Sequence, residues 1–525
     1  MIHRSPFPDV VIPEVSLSAF IFQNADQWAD KPALIDGPSG RTLTYRQLRA
    51  AIGKVAASLA ARGFGKGDVF SIYSPNVPEY AIIFYAVTTV GGVVTTTNPL
   101  YTADELMHQL KDSGARFLLT IPAFLDKAQH AAQGAGIEEV FVFGEAEGAT
   151  AFSDLLQGSG EIPEVEIDPR EDLAVLPYSS GTTGLPKGVM LTHYNLVANI
   201  MQTMAVEEIK KEEVLIGILP FYHIYGMVVV MSMALSTGAT IVTMPRFDLE
   251  QFLQLLQDYR VTTAFIVPPI ILALAKHPIV DNYDLSALIQ IGSGAAPLPE
   301  TVARDCAKRL DCVVRQGYGL TETSPVTHFT PRSMEVKITA VGITLPNTEV
   351  RIVEMDSGED LPLREPGEIW IRGPQVMKGY HKRPDATADM IDAEGWLHTG
   401  DIGYVDEDGY FYIVDRLKEL IKYKGMQVAP AELEAIVQAH PAVADAAVIP
   451  SPDEEAGEVP KAFVVLKPGA EATAEEIMAF VAERVASYKK VRLVEFIEQI
   501  PKVPSGKILR RELVRREREA VSQAE

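Results

Sequence analysis

The chain has 525 residues, and two or more domains are expected because one hydrophobic core rarely supports so many residues. Hydrophobic residues make up 47% and charged residues 22%, which is typical of a folded globular protein and excludes a disordered one. The formal net charge of −23 opposes binding to nucleic acid or to an anionic membrane surface.

Cysteine content and apolar stretches bear on the compartment. Cys306 and Cys312 alone cannot form a structural zinc site and favour two free thiols in a reducing environment. The N-terminal segment lacks the apolar stretch of a secretory signal, and the C-terminus lacks a peroxisomal SKL signal. The apolar stretches after Gly226 and from Ala264 are too short for a membrane span or contain prolines. We therefore expect a cytoplasmic protein without membrane insertion.

Helices and strands alternate in the first third of the chain. The apolar spacing from Leu43 to Ala61 predicts a helix, which a buried strand follows from Val69. Thr102 and Glu105 form a capping box that opens a helix ending at Gly114. A strand at 117–120, a helix at 122–132 and a strand at 140–143 continue the pattern. This alternation predicts α/β layers with largely parallel sheets.

The middle of the chain repeats this pattern. An apolar run at 173–178 leads into a glycine-rich segment, and a helix is predicted at 193–204. Further apolar runs lie at 214–219, 261–267, 288–291 and 313–315, each before a loop that contains proline or glycine. Because ligands bind at the carboxyl ends of parallel strands, these loops are expected to converge on one site.

The remainder of the chain shows two further sequence patterns. Short alternating segments after Glu335 predict a small β-rich subdomain. After the charged stretch that begins at Asp415, the pattern predicts an αβ unit with helices at 431–440 and 474–485 and strands at 446–449 and 462–467.

The glycine-rich segment YSSGTTGLPKG, residues 178–188, has the composition of a phosphate-binding loop. Glycines let backbone N–H groups approach an anion, hydroxyl groups add donors, and Lys187 adds a positive charge. It is not a Walker A loop, because Gly188 follows the lysine where that motif has serine or threonine. The segment therefore predicts a different nucleotide chemistry.

Other candidate segments also lie on loops after predicted strands. They are PFYHIYG at 220–226, QGYGLTETS at 316–324, GWLHTGD at 395–401, DRLKELIKYKGMQ at 415–427 and PSGK at 504–507. Taken singly, His223 is more often a core histidine and Glu322 more often a helix cap. Their occurrence together with the phosphate loop favours a shared function.

Together these segments resemble the adenylate-forming superfamily of acyl-CoA synthetases, luciferases and peptide-synthetase adenylation domains, over residues 43–513. HIYG, SGAAPL, TETSPV and PSGKILRR are most similar to 4-coumarate:CoA ligases and bacterial cinnamoyl-CoA ligases. The resemblance implies an ATP- and magnesium-dependent acid:CoA ligase. A carboxylate attacks the α-phosphate of ATP to give acyl-AMP and pyrophosphate, and coenzyme A then displaces AMP.

The resemblance also implies an architecture. A large N-terminal domain, residues 1–414, would contain two α/β subdomains and a small β-rich subdomain. A hinge at 415–418, centred on Lys418, would join it to a small mobile α+β domain at 419–525. The partners would be a small carboxylic acid, ATP and coenzyme A, while the oligomeric state is open between monomer and homodimer.

Matching positions carry the implied roles in nucleotide binding. The β- and γ-phosphates would be held by Ser179, Ser180, Gly181, Thr182, Thr183, Gly184 and Lys187. The adenylate would be held by Gln316, Gly317, Tyr318, Gly319, Thr321, Asp401 and Arg416. Of these, Thr321 would bond the α-phosphate, and Asp401 would bind the ribose hydroxyls. Glu322 would ligate magnesium.

Two sets of residues are implied for the two steps. In adenylation Lys507 would neutralise carboxylate and phosphate oxygens, and His223 would orient the carboxylate. After a domain swing, Lys422 and Gln427 would approach the adenylate, and Gly425 would line the pantetheine passage.

The acid pocket is implied to consist of Tyr225, Ser293, Gly294, Ala295, Ala296, Gly317, Pro325 and Val326. Small residues beside an aromatic ring suit a flat substrate such as a hydroxycinnamic acid. The chain departs from plant ligases at 228–230, where three valines replace more polar residues. That departure leaves unsubstituted cinnamate and medium-chain acids open as substrates.

Four alternatives to the 4-coumarate ligase follow from the same residues. A medium-chain or general aromatic acyl-CoA synthetase comes first, and a luciferase-type oxygenase comes after it. A carrier-protein-loading domain would need a partner in trans. A non-catalytic adenylate-binding module is disfavoured because the chain retains His223, Glu322, Lys422 and Lys507.

Overall fold

The computed structural model describes residues 1–159, 161–179, 186–355, 357–423, 426–453, 456–485, 487–503 and 506–524, without the side chains at 418, 426, 427 and 520–524. These residues form four β-sheets with helices packed against them. Three of the sheets lie in the N-terminal part of the chain and one in the C-terminal part.

The first sheet has a parallel centre and an antiparallel edge. The parallel strands are Thr150–Ala151, Glu139–Val142, Ala115–Thr120, Val69–Ile72, Val93–Thr96 and Leu173–Val175. The antiparallel strands are Lys187–Thr192, Tyr178–Ser179 and Gly379–Tyr380. Helices in this part of the chain are Tyr45–Ala61, Pro78–Thr89, Ala103–Ser113, Leu125–Ala135 and Phe152–Leu155. The predicted parallel sheet is therefore present, and its edge brings distant segments of the chain together.

The helix Ala103–Ser113 illustrates how the local sequence sets these elements. The Thr102 side chain accepts the Glu105 N–H, and the Glu105 carboxylate accepts the Thr102 N–H. These reciprocal bonds satisfy donors that have no partner at a helix start. Gly114 ends the helix at φ +70°, in the left-handed region where glycine carries no steric penalty. The capping box and the stop at Gly114 are confirmed.

The second sheet has the same design. Its parallel strands are Pro32–Asp36, Thr240–Thr243, Val214–Gly217, Thr263–Ile266, Gln290–Ser293 and Val313–Gly319. Antiparallel strands flank it at Thr42–Thr44, Val326–Phe329 and Ile343–Thr344. Helices in this part are Leu17–Phe22, His193–Met204, Met233–Thr237, Leu249–Asp258, Pro268–Lys276 and Glu300–Leu310. Two candidate segments lie at the carboxyl ends of its parallel strands, PFYHIYG at 220–226 and the second half of QGYGLTETS at 316–324.

The apolar run after Gly226 is a buried helix. Residues Tyr225–Ser232 form a π-helix that continues into Met233–Thr237, and Val228, Val229 and Val230 are all buried. Across the described residues, no helix combines the length and the apolar character that a membrane span requires.

Two smaller sheets complete the fold. An antiparallel sheet contains His3–Arg4, Glu349–Val353, Gly367–Arg372, Leu397–Val405 and Phe411–Arg416, with the helix Pro384–Ala388 beside it in sequence. The C-terminal sheet contains Met426–Val428, Ile421–Tyr423, Gly457–Leu466, Val443–Asp453 and Leu493–Phe496. Its helices are Pro430–Gln438, Ala474–Ala482 and Arg510–Ala524.

The two parts of the chain have separate hydrophobic cores. One large apolar cluster extends from Leu17 to Leu397, and a smaller one extends from Ile421 to Val491. The fold class, an α/β N-terminal domain with a separate C-terminal α+β domain, is therefore confirmed. The domain boundaries at 414 and 419 stay a prediction, as does the hinge between them.

Polar contacts lie beside the predicted hinge, one from the hinge to the C-terminal domain and two within the C-terminal domain. The Asp415 carboxylate accepts the backbone N–H of Ala431, 2.8 Å away, at the start of helix Pro430–Gln438. A carboxylate at a helix N-terminus is stabilised by the unpaired N–H groups there. Arg510, from the C-terminal helix, donates to Glu434 at 2.7 Å and pairs with Glu419.

A buried ion-pair network lies under the second sheet. Glu207 is completely buried and pairs with Arg315 at 2.8 Å and with Arg332 at 2.9 Å. Arg332 also pairs with Glu213, whose carboxylate accepts the Thr263 hydroxyl at 2.6 Å. Removing one member of such a network leaves a buried charge without compensation.

We expect Glu207→Ala to lower the unfolding free energy of the large domain by about 3 to 5 kcal/mol, because Arg315 stays buried after its acid is removed. Urea unfolding followed by tryptophan fluorescence measures this, since Trp28, Trp370 and Trp396 all lie in the large domain.

The matched control is Glu300→Ala, which breaks the exposed pair between Glu300 and Arg304 on helix Glu300–Leu310. Exposed pairs at this spacing contribute little, so the control should lose less than about 1 kcal/mol. Equal losses in the two variants would contradict a stabilising role for the buried network.

Candidate active site

The predicted phosphate loop connects two paired strands. Tyr178 pairs with Gly188 and Ser179 pairs with Lys187, so the strands Tyr178–Ser179 and Lys187–Thr192 form its base. Five of the predicted loop residues lie outside the described residues, and these are Ser180, Gly181, Thr182, Thr183 and Gly184. Gly188 is close-packed, because a Cβ there would lie 3.2 Å from the Tyr178 ring. The backbone at the base of the loop is therefore held tightly.

Glu322 lies beside this base. Its Oε1 accepts the Ser179 hydroxyl at 2.9 Å and the Tyr380 hydroxyl at 2.8 Å. The Lys187 ammonium lies over the Tyr380 ring, 5.0 Å from its centroid, as in cation–π contacts. Thr321, the neighbour of Glu322, begins a short 3-10 turn at Thr321–Thr323. The structure thus brings Ser179, Lys187, Thr321 and Glu322 together.

Tyr318, Asp401 and Arg416 form a second group. The Tyr318 hydroxyl donates to Asp401 Oδ2 at 2.6 Å, and Arg416 Nε lies 3.2 Å from Asp401 Oδ1. Burial raises the pKa of Asp401, and the positive charge of Arg416 opposes that rise. Burial lowers the pKa of Arg416, but the charges of Asp401 and Glu419, together with that of Glu322, raise it above its usual value.

Neighbouring residues of the segment 316–324 are fixed by the protein itself. The Gln316 side chain accepts the Leu298 N–H at 3.2 Å and donates to the Ile338 carbonyl at 2.6 Å. The oxygen and the nitrogen of this side-chain amide are therefore each used in a hydrogen bond to the backbone. A Cβ on Gly319 would lie 1.9 Å from the Pro325 carbonyl oxygen, so only glycine fits there. A Cβ on Gly317 would lie 2.7 Å from the Phe329 ring.

Lys507 reaches this cleft from the C-terminal domain. Burial lowers the pKa of Lys507, the charge of Arg416 lowers it further, and Asp401 and Glu419 oppose the effect. The turn that carries it touches the large domain, because a Cβ on Gly506 would lie 2.7 Å from the Pro269 ring. The structure therefore has the small domain docked with Lys507 beside the second group.

His223 lies at the same cleft. Its side chain is accessible from the cleft, yet the surrounding protein atoms and the charge of Lys507 lower its pKa to about 4. The backbone N–H of Tyr225 donates to its Nδ1 at 3.3 Å. A ring nitrogen that accepts a hydrogen bond carries no proton, so His223 is neutral near pH 7 with its proton on Nε2.

The predicted acid pocket adjoins His223. The Tyr225 hydroxyl donates to the Gly292 carbonyl at 3.2 Å, and a Cβ on Gly294 would lie 3.1 Å from the Tyr225 ring. The backbone of Val326 is fixed by the Asn199 amide, with bonds of 3.0 and 2.6 Å. A side chain at Gly294 would therefore require the Tyr225 ring to shift by a few tenths of an ångström.

The other residues predicted for the acid pocket lie on the strand and loops beside Tyr225. Ser293 ends the strand Gln290–Ser293, and its buried hydroxyl has no hydrogen-bond partner among the described residues. Ala295 has φ +71° and begins the turn that carries Ala296. Pro325 lies between Glu322 and Val326, in the same loop.

The residues predicted for the second step are placed less fully. Lys422 is exposed on the strand Ile421–Tyr423, and its N–H donates to Glu458 at 2.7 Å. Gly425 lies outside the described residues, and the side chains of Gln427 and Lys418 do as well.

Sequence reasoning missed two residues around the loop base. Tyr380 contacts both Glu322 and Lys187, but a single Gly–Tyr pair in a charged segment carries no recognisable signal. Asp112 accepts the Tyr178 hydroxyl at 2.7 Å and pairs with Arg383 at 2.9 Å. It lies at the end of a helix whose pattern indicates only a solvent-facing acid.

Comparison with known proteins identifies the family of this chain. The family model for AMP-binding enzymes matches residues 21–381, and that for the AMP-binding enzyme C-terminal domain matches residues 432–507. The chain is 45% identical to 4-coumarate–CoA ligase 1 of Solanum tuberosum over 524 residues, which cover 98% of this chain and 96% of the relative. Identity to 4-coumarate–CoA ligase 2 of Petroselinum crispum is also 45%, with the same coverage.

Two solved structures have the same fold. ATP-bound MatB from Rhodopseudomonas palustris is 30% identical with a TM-score of 0.88, covering 95% of this chain and 98% of that one. The anthranilate CoA ligase AuaEII, in complex with anthranoyl-AMP, is 25% identical with a TM-score of 0.89, covering 97% and 98%. The chain therefore belongs to the family of AMP-binding enzymes.

Proposed function

We propose that this protein is an AMP-forming acid:CoA ligase that acts on hydroxycinnamic acids such as 4-coumarate. The observation that carries the proposal is the docking of Lys507 beside Arg416, Asp401 and His223. It gathers positive charge from both domains at one cleft, as the joining of two anions requires. The 45% identity to 4-coumarate–CoA ligases over nearly the whole chain supports the substrate class.

In the first step a carboxylate oxygen attacks the α-phosphorus of ATP. A bond from that oxygen to phosphorus forms, and the bond to the β-phosphate oxygen breaks to release pyrophosphate. Ser179 and Lys187, with the rest of the loop, hold the β- and γ-phosphates. Thr321 bonds the α-phosphate, and Lys507 neutralises the oxygens whose charge rises as the bonds exchange.

Nucleotide and acid are bound by the flanking groups. Tyr318 flanks the adenine, and Asp401 and Arg416 bind the ribose. Neutral His223 offers its Nε2–H to the acid, and because the ring carries no charge it does not hold the carboxylate as a fixed ion pair. The acid's ring lies against Tyr225.

The chain's donors also fit magnesium. Mg²⁺ prefers hard oxygen ligands and is often held by one or two carboxylates together with phosphate oxygens and water. Glu322 is a buried carboxylate beside the phosphate loop and would hold the ion. The ion supplies partial neutralisation of the phosphate charge.

In the second step the sulfur of coenzyme A, after losing its proton, attacks the acyl carbon, and the bond to the AMP oxygen breaks. We propose that the small domain turns at Lys418 for this step. The turn withdraws Lys507 and brings Lys422, Gln427 and Gly425 to the adenylate and the pantetheine passage. One domain then serves two reactions at one site.

A panel of acids tests the reaction and its substrate class. With ATP, magnesium and coenzyme A, we expect thioester formation from 4-coumarate, cinnamate, benzoate and octanoate to give the highest kcat/KM for 4-coumarate. Buried Val228, Val229 and Val230 offer a ring hydroxyl no side-chain partner, so its margin over cinnamate should be below about tenfold. A higher kcat/KM for octanoate would contradict the hydroxycinnamate assignment and favour a medium-chain acyl-CoA synthetase.

Lys507→Ala separates the two half-reactions. Adenylate formation should fall about 100-fold or more, because a charge stabiliser is lost, while thioester formation from supplied acyl-AMP should stay within about threefold. The control is Lys502→Ala, which removes a lysine of the same segment that pairs with Asp445 at 2.6 Å. It should leave both rates unchanged. Equal loss of both half-reactions in Lys507→Ala would contradict the role given to this lysine.

A further inference from the structure

Tyr380 comes to the loop base from a distant part of the chain. The strand Gly379–Tyr380 pairs antiparallel with Lys187–Thr192, with Val189 opposite Tyr380. The Tyr380 N–H donates to the Thr387 hydroxyl at 2.9 Å, and the residue is 6% exposed. The backbone of Tyr380 is thus held by Lys187–Thr192 and by Thr387, and its side chain is buried.

The Tyr380 hydroxyl and the Ser179 hydroxyl bind the same oxygen of Glu322. Both donate to Oε1, at 2.8 and 2.9 Å. A carboxylate oxygen has two lone pairs in the plane of the group, so both lone pairs of Oε1 are used. No donor among the described residues bonds Oε2, so its lone pairs are the ones available to a cation.

We infer that Tyr380 is a positioning residue for the metal site, because with Ser179 it occupies one oxygen of Glu322 and so presents the other to the magnesium ion bound with ATP. The inference rests on the proposed function, in which Glu322 is the magnesium ligand. It also explains why a residue about 190 positions after the loop is paired with it. Through these two bonds Glu322 is held to Ser179 and to Tyr380.

Tyr380 has a second contact, and the experiment must distinguish it from the bond to Glu322. Its ring faces the Lys187 ammonium. The substitution Tyr380→Phe keeps the ring and this contact and removes only the hydroxyl. A phenylalanine also fits the same buried volume, so the variant is expected to fold.

The test measures ATP binding by calorimetry without any acid, so that no turnover occurs. Dissociation constants are compared with magnesium and with EDTA for the wild type, Tyr380→Phe, Glu322→Gln and the double variant. In Tyr380→Phe we expect magnesium to improve ATP affinity about tenfold less than in the wild type, the usual scale for a lost bond to a charged group. Affinity in EDTA should not change.

The double variant tests the route of the effect. If Tyr380 acts through Glu322, adding Tyr380→Phe to the Glu322→Gln variant should lower the magnesium-dependent ATP affinity by less than about twofold. Additive losses would mean that Tyr380 acts independently of Glu322 and would overturn the inference.

The control variant is Tyr412→Phe, which removes another tyrosine–carboxylate bond, 3.0 Å long, to Asp406. It should bind ATP as the wild type does. If magnesium improves the ATP affinity of Tyr380→Phe as much as that of the wild type, the inference about Tyr380 is overturned and the proposed function is not. If the wild type shows no magnesium gain, or Glu322→Gln keeps it, the metal assignment of the proposed function fails instead.

Discussion

The structure depends on a concentration of positive charge at one cleft of an acidic protein. Lys507 and Arg416 lie close enough that the charge of Arg416 lowers the pKa of Lys507, and Asp401 is the buried acid that compensates them. The chain as a whole carries a net charge of −23. Two like charges repel, so holding them together costs free energy until an anion binds between them. An adenylate is such an anion.

The two domains divide the work of holding that charge. The large domain supplies Asp401 and Glu322 on strands and short turns, and Arg416 ends the strand that leads into the predicted hinge. The small domain supplies Lys507 on a turn that contacts Pro269. Lys507 lies in the C-terminal part of the chain, whose apolar residues form a core of their own, so its charge could be withdrawn without unfolding the binding site. The docked arrangement, with Lys507 at the site, would favour adenylation. A rotation of the small domain would replace Lys507 at the site by Lys422.

Much of the fold could be predicted from the sequence because its signals are local. The capping box at Thr102 and the stop at Gly114 mark their helix with backbone chemistry alone. Apolar runs located the strands, with ends displaced by a few residues, as in Thr263–Ile266 within the predicted 261–267. The antiparallel edges were not predicted. Pairs such as Val189 with Tyr380 join residues far apart in sequence, and neither segment carries a pattern that names its partner.

The same distinction holds for the candidate site. Residues on recognisable segments, such as Asp401 and Glu322, were predicted, and the structure brings them to one cleft. Tyr380 and Asp112 were not predicted because their positions at the loop base depend on tertiary contacts, with Glu322 and with Tyr178. Gln316 was predicted to bind the nucleotide, but both ends of its side-chain amide bond backbone segments. Sequence motifs thus predicted many of the groups of the candidate site but not the contacts that orient them.

The central claim is that the acid is activated as an adenylate before coenzyme A takes part. The most direct measurement is the exchange of labelled pyrophosphate into ATP by the wild-type protein with magnesium and 4-coumarate, in the absence of coenzyme A. The account predicts exchange that depends on the acid and continues without coenzyme A. An absence of acid-dependent exchange, or exchange that begins only when coenzyme A is added, would contradict it.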